Sequence, residues 1–282
     1  MQRSRAPWQD RGRIARPLPL LGPPWAEALL GFSRQQLALA CTQRGIAVPS
    51  RASRAQLAQL LTLDKFRVQA EQTYRDGQIP FPRHDGDYTL LCKLIARHGL
   101  RHLLDLGCGP GIFAEHVLRE GVLPSDGSYL GVDNVAGAIE IARNRLAGER
   151  RVRFELCNIA AELPRAPHVD GVLMCFVIAY MDTHAADRLL RRLARVWPRA
   201  TLLVALSIVT SMNGQDQPPP EPAARRFLDG DRRALAGWDA RRFLCYAQAV
   251  DDHFGIVEEH RCEDATRLIW IARRDPARPL RR

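Results

Sequence analysis

Lysine is almost missing from this chain of 282 residues: Lys65 and Lys93 are the only two among 41 basic residues, and the rest are arginine. Such a bias can reflect genomic base composition as readily as selection for phosphate binding. Long apolar runs are missing too. None approaches the roughly 18 residues of a spanning helix, which excludes a helical membrane protein. The opening stretch "MQRSRAPWQDRGRIARPLPLLGPPW" is basic, but its apolar part is short and broken by prolines. It has neither the core nor the cleavage site of a secretory leader, so the expected location is the cytoplasm. The seven cysteines, at 41, 92, 108, 157, 175, 245 and 262, form no CxxC pair. That argues against a disulfide framework or a zinc site, and they are expected to act as small buried hydrophobes. There is no internal repeat.

What is present suits one α/β domain of about 200 residues with an appendage. An apolar fraction of 46% is enough for a true core. The charge sits at the ends: residues 1–75 carry +8 of the chain's net +10, and the last ten residues carry +4, so the middle is close to neutral. A basic arm is either an electrostatic footprint for nucleic acid or a solvated tail.

Four regions follow. Residues 1–24 read as an Arg/Pro-rich disordered arm, 25–70 as a small helical domain, 71–273 as the main domain and 274–282 as a basic tail. In the helical region Leu37 and Cys41 mark one helix and Leu57, Leu60 and Leu61 a second, the pattern fading near Leu63. Ser33 and Ser53 are the candidate N-caps. Gly77, Pro80 and Pro82 form a linker into a helix near 86–98. From there strands at 102–106, 128–132, 152–157, 169–175 and 201–207 alternate with helices at 111–120, 135–147 and 183–196. That rhythm predicts a Rossmann-like, seven-stranded, mostly parallel sheet with helices on both faces. Residues 208–236 break it and read as a long loop or insertion over a site. A helix near 238–251 precedes two strands joined by a short turn, so the sheet should end antiparallel.

The chemistry concentrates in "LLDLGCGPGIFAEHVL", residues 103–118. A GxxxxGK[ST] phosphate loop is excluded, because no lysine follows the glycines. Gly109-Pro110-Gly111-Ile112-Phe113-Ala114 does match the G-x-G-x-x-A dinucleotide pattern, with Asp133 about 20 residues on. Three features oppose that reading. Asp105 stands two residues before Gly107, Gly107 adds a third glycine at a spacing of two, and the antiparallel ending leaves no room for a separate substrate domain.

Asp105-x-Gly107-x-Gly109-x-Gly111 resembles the first-strand turn of the class I S-adenosylmethionine-dependent methyltransferases, and the resemblance runs from about 85 to 273. It implies a transferase that binds S-adenosyl-L-methionine. Glycine there lets the backbone approach the methionine part of the cofactor and reach unusual φ/ψ values. By the same resemblance Asp105 orients the amino end. Asp133, with Asn134 beside it in "YLGVDNVAGAIEIARNRL", accepts from the ribose hydroxyls. After the third strand the family carries an acid that reads the adenine amino group. Here "FELCNIAAELP" has Asn158, whose amide oxygen can still accept, and Ile159 offers a backbone amide and an apolar face. The fourth strand ends in Cys175, Phe176 and Val177, which would wall the transfer site.

The acceptor is less constrained, because methyl transfer is a displacement that depends chiefly on alignment. No [DN]-P-P-[YF] follows the fourth strand, which argues against the amino-methylating DNA enzymes. Cys175 lacks the neighbouring proline of a cytosine-attacking thiolate and reads as packing. Asp170 and Asp182 alone do not supply the oxygen ligands of metal-assisted chemistry, so no metal is expected. Candidate acceptor contacts are Arg83, His84 and Tyr88 before the first strand and Tyr180 after the fourth. His184 is the candidate general base, set against a plain helix start capped by Asp182 or Thr183.

The segment "FSRQQLALACTQRGIAVPSRASRAQLAQLL" resembles the SAP-type helix–loop–helix module, which binds nucleic acid in many proteins. On that resemblance Arg34, Arg44, Arg51 and Arg54 would meet phosphates, with salt-sensitive binding. The alternative is a helical lid over the cofactor cleft. Two acceptor classes therefore stand, a small metabolite methylated at O or N, favoured, and RNA or DNA. A non-catalytic cofactor-binding protein is the remote third, kept open by Asn158.

Overall fold

In the computed structural model the described residues are 29, 31–75, 85–207, 238–261 and 267–275. The expected arm at 1–24, the linker residues 77–82, the 208–236 insertion and the tail beyond 275 lie outside them, as do Arg83 and His84.

Two helices come first, α1 (Arg34–Gln43) and α2 (Arg54–Arg75). Both start as expected, because Ser33 and Ser53 each head an S-x-x-Q capping box. Each serine hydroxyl accepts from the backbone N–H of the glutamine three residues on, and that glutamine's side chain accepts from the serine N–H. This satisfies donors that the first helical turn leaves open. Leu37, Cys41, Ala52, Leu57, Ala58 and Leu61 form a small core between the helices. α2 runs well past the expected end near Leu63. Residues 64–75 contain no glycine or proline to stop it, and α2 packs against a helix of the main domain.

That domain contains α3 (Asp85–Arg97), β1 (His102–Leu106), α4 (Ile112–Arg119), β2 (Ser128–Asp133), α5 (Ala136–Arg145) and β3 (Val152–Leu156). Then come β4 (Gly171–Cys175), a short 3-10 turn (Ile178–Tyr180), α6 (Thr183–Val196), β5 (Thr201–Ser207), α7 (Trp238–His253), β6 (Ile256–Arg261) and β7 (Arg267–Arg273). The seven strands lie in the order β3-β2-β1-β4-β5-β7-β6, with the first five parallel. The antiparallel ending is as expected, and β7 enters between β5 and β6, antiparallel to both.

The inner strands are buried on two faces, so alternate residues feed two cores. Leu104, Leu106, Leu202, Val204, Leu206, Leu268 and Trp270 join α6 and α7 on one side. Leu103, Leu203, Ala205, Ile269 and Ile271 join α3, α4 and α5 on the other. Near-continuous apolar strands require this double cover. Trp270, fully buried, packs against Phe243 with centroids 5.2 Å apart, and its indole N–H donates to Glu259 at 3.1 Å.

Candidate functional site

The site is built where β1, β2 and β4 end together. At the end of β1 the chain turns sharply. Gly107, Gly109 and Gly111 have φ of 77°, 52° and 77°, left-handed values that favour glycine. Gly107 and Cys108 both donate their N–H to Val132 O, at 2.7 and 3.0 Å, which ties the turn to β2. A Cβ on Gly107 would lie 2.3 Å from Val177 Cγ2. One on Gly111 would meet Ala142 at 3.0 Å and Phe154 at 3.1 Å. Packing within the protein thus demands glycine at 107 and fits tightly around 111, beyond the close ligand approach inferred from sequence.

Two acids flank the turn and are held differently. Asp133 accepts from Gly109 N–H at 3.0 Å through one oxygen and from Val135 N–H at 2.9 Å through the other. Burial raises its carboxyl above the ordinary value, against those backbone donors. Asp105 is only 2% exposed. One of its oxygens accepts from the Tyr129 hydroxyl, and the other has no partner among the described residues. Burial pushes this carboxyl up to about 7, the Tyr129 hydrogen bond opposing the shift and the Asp133 charge adding to it.

Asn134 is exposed beside Asp133. Asn158 is also exposed, and its amide oxygen accepts from Ala160 N–H at 3.1 Å, so one lone pair closes its own turn. Ile159 is buried, and Arg192 from α6 donates to its carbonyl and to that of Ala160, each at 3.3 Å. At the end of β4 the Cys175 thiol is pushed well up, first by burial and then by Asp105. Phe176 is the single non-glycine with positive φ among the described residues, at 62°, and its N–H donates to Ala205 O at 2.8 Å.

Of the acceptor candidates, Tyr180 is drawn to the cluster. Its phenol is raised to about 12 by burial and then by the Asp133 charge. Tyr88 packs against α4, its ring 5.1 Å from Phe113 and 5.8 Å from His116. His184 is partly buried in the first turn of α6, and Asp182 is the cap, accepting from Ala185 N–H at 2.6 Å. Sequence reasoning missed Tyr129, which lay within the expected strand at 128–132. The register was the available clue: Tyr129 pairs with Leu103 and Gly131 with Asp105, so Tyr129 and Asp105 share one face of adjacent strands. It also missed the ion pair at 2.5 Å between buried Asp87, in the first turn of α3, and Arg267 at the start of β7.

The N-terminal helices reach this end of the sheet. α2 packs against α5, which follows β2. The Gln59 amide faces Asp182, and with its nitrogen turned toward the carboxylate it donates there and accepts from the Asp182 backbone N–H at 3.3 Å. Of the four arginines singled out in sequence, Arg34 donates to Ala52 O at 2.9 Å, and Arg44 lies 3.9 Å from Asp64. All four are exposed.

No described helix is long and apolar enough to cross a membrane, and among the described residues no cluster of His, Cys, Asp and Glu could hold a metal. The residues present fit a nucleoside with a cationic amino-acid end. A buried carboxylate oxygen lacks a partner, and the turn beside it leaves no room for a Cβ at Gly107.

A family described as "Methyltransferase domain" matches residues 103–198. The curated proteins contain no match. Among solved structures, a putative O-methyltransferase from Nostoc punctiforme is 17% identical, with a TM-score of 0.50 over 85% of this chain and 68% of its own. The methyltransferase domain of bacterial CtHen1 is 15% identical, with a TM-score of 0.50 over 67% of this chain and 97% of its own. The mitomycin 7-O-methyltransferase MmcR is 17% identical at a TM-score of 0.46, and the chain spans 61% of its length. The matched segment carries the glycine turn and β1 to β4 and is that of a methyltransferase domain, whose cofactor is S-adenosylmethionine.

Proposed function

We propose that the protein transfers a methyl group to an oxygen or nitrogen atom of a small metabolite, with α1 and α2 as the lid of the cleft. The observation that carries this reading is the seat of α2. It lies on α5 and on the Asp182 cap of α6, the helices that follow β2 and β4, so it bridges the two strand ends between which the transfer site lies. Arg34 and Arg44 each make a contact inside the helix pair while remaining exposed. All four arginines are exposed and favour the second reading, docking of RNA or DNA by a SAP-like module.

S-adenosylmethionine supplies an electrophilic methyl group when bound. The chain's own residues bind, orient and exclude water. In this assignment Asp133, with Asn134, takes the ribose hydroxyls, Asp105 the amino end, and Asn158 and Ile159 the adenine. Cys175, Phe176 and Val177 wall the acceptor side, and Tyr88 and Tyr180 border it. Orientation supplies most of the rate in such a site. His184 is the proposed base. Its replacement by alanine is expected to lower turnover about a hundredfold with unchanged cofactor affinity, and equal turnover would remove it from the mechanism. A cytoplasmic location belongs to the same reading, supported by six cysteines in the described residues that form no disulfide.

Two full-length variants separate lid from docking module. If α2 is a lid, Gln59→Ala weakens cofactor binding several-fold in calorimetry, and Arg51→Ala with Arg54→Ala changes nothing. If the helices dock nucleic acid, the arginine pair abolishes retention of RNA or DNA at low salt and Gln59→Ala leaves it intact.

A further inference from the structure

Asp105 is an unusual carboxylate. It is buried at the end of β1, just before the glycine turn, with one oxygen satisfied by Tyr129 and the other by nothing among the described residues. The titratable groups that act on it are Tyr129 and Asp133 from β2, Cys108 from the turn and Cys175 from β4. None of these carries positive charge, so an ionised Asp105 has no counter-ion in this set. A charge buried in that way is costly until a cation arrives. The cofactor assignment, on which this inference rests, brings one, the α-ammonium of the methionine end.

We propose that Tyr129 is a positioning residue for that ammonium. Its phenol, itself 1% exposed, fixes one oxygen of Asp105 and leaves the other as the acceptor, and arrival of the ammonium drives the proton off this carboxyl. The balance is simple. The neutral acid releases one proton to solvent, the carboxylate that forms pairs with the ammonium, and no covalent bond changes in the cofactor. Tyr129 donates to the ionised form and so favours it; without the phenol the acid holds its proton to higher pH.

S-adenosylhomocysteine is the probe, because it has the same amino end, and methylthioadenosine, which lacks it, is the control. Affinity of the native protein for S-adenosylhomocysteine should rise about tenfold per pH unit on the acid side of neutrality. It should fall again at alkaline pH, as the ligand's own amine loses its proton. Calorimetry in two buffers of different ionisation enthalpy should register proton release on binding at pH 6.5. Tyr129→Phe, which keeps the ring and loses only the hydroxyl, is expected to move the acid limb to higher pH and weaken binding about tenfold at pH 7. Methylthioadenosine should bind both proteins alike, with no acid limb. Asp105→Asn should remove the limb and the proton release altogether.

Equal weakening of both ligands in Tyr129→Phe would make the phenol merely structural and overturn the proposal. So would an unchanged profile, or native binding without proton release. Failure of the native protein to bind either nucleoside would overturn the cofactor assignment itself, a different and recognisable result.

Discussion

The strand ends that carry the glycine turn and the helix pair that packs on α5 are specified in different ways. The turn is held by its own backbone. Three left-handed glycines, two N–H groups on Val132 O and the Asp133 latch to Gly109 leave it one shape. The helices α1 and α2 have a local identity, given by their capping boxes and a six-residue core, but their place on the molecule is set by distant contacts with α5 and Asp182. A region fixed by φ and close packing can be read as a motif. One seated by tertiary contact is legible as helices and silent about where they lie.

The largest expected effect tests the first region through pH. The Asp105 carboxyl is near 7 in the fold, against an ordinary 3.8. The free protein should therefore lose stability as pH rises from about 4 to about 7 and level off above, by about 4 kcal/mol in all. Denaturant titrations of Asp105→Asn should show that slope gone, and a persisting slope would place its origin elsewhere. Next, Gly107→Ala should cost about 3 kcal/mol, combining a left-handed alanine with its collision against Val177. Adding Val177→Ala should recover the collision and leave the backbone part, so complete recovery would mean that φ at 107 is not limiting. Asp133→Ala should weaken S-adenosylmethionine binding about a hundredfold, as two hydrogen bonds to a charged group are lost. Measurable binding of NAD by the native protein would instead revive the dinucleotide pattern. Smallest, Gln59→Ala should cost about 1 kcal/mol in thermal unfolding. A loss as large as that of Gly107→Ala would erase the distinction between the two regions.

Much of the sheet was legible because its physics is local. Alternating helices with short apolar runs implied parallel strands covered twice, and the short turn after His260 implied an antiparallel pair. The insertion of β7 between β5 and β6 was not legible, since pairing partners across the chain leave no mark in either strand. The same limit applies at the site. Asp105 and Asp133 stand out by spacing, whereas Tyr129 earns its place only through register and Arg267 only through a partner 180 residues away. Asn158 is the mixed case. Its position was anticipated, but the turn that engages its oxygen was not, because an Asx turn depends on the backbone two residues on.

Phe176 sets up a choice between two histories. Its left-handed backbone costs about 1–2 kcal/mol that glycine or asparagine at that position would largely recover. Variants selected for heat resistance alone should drift toward those residues, and variants selected for methyl transfer should keep the ring. The amino acid that survives at 176 after laboratory evolution would then record which demand was imposed, like a gauge left in the chain.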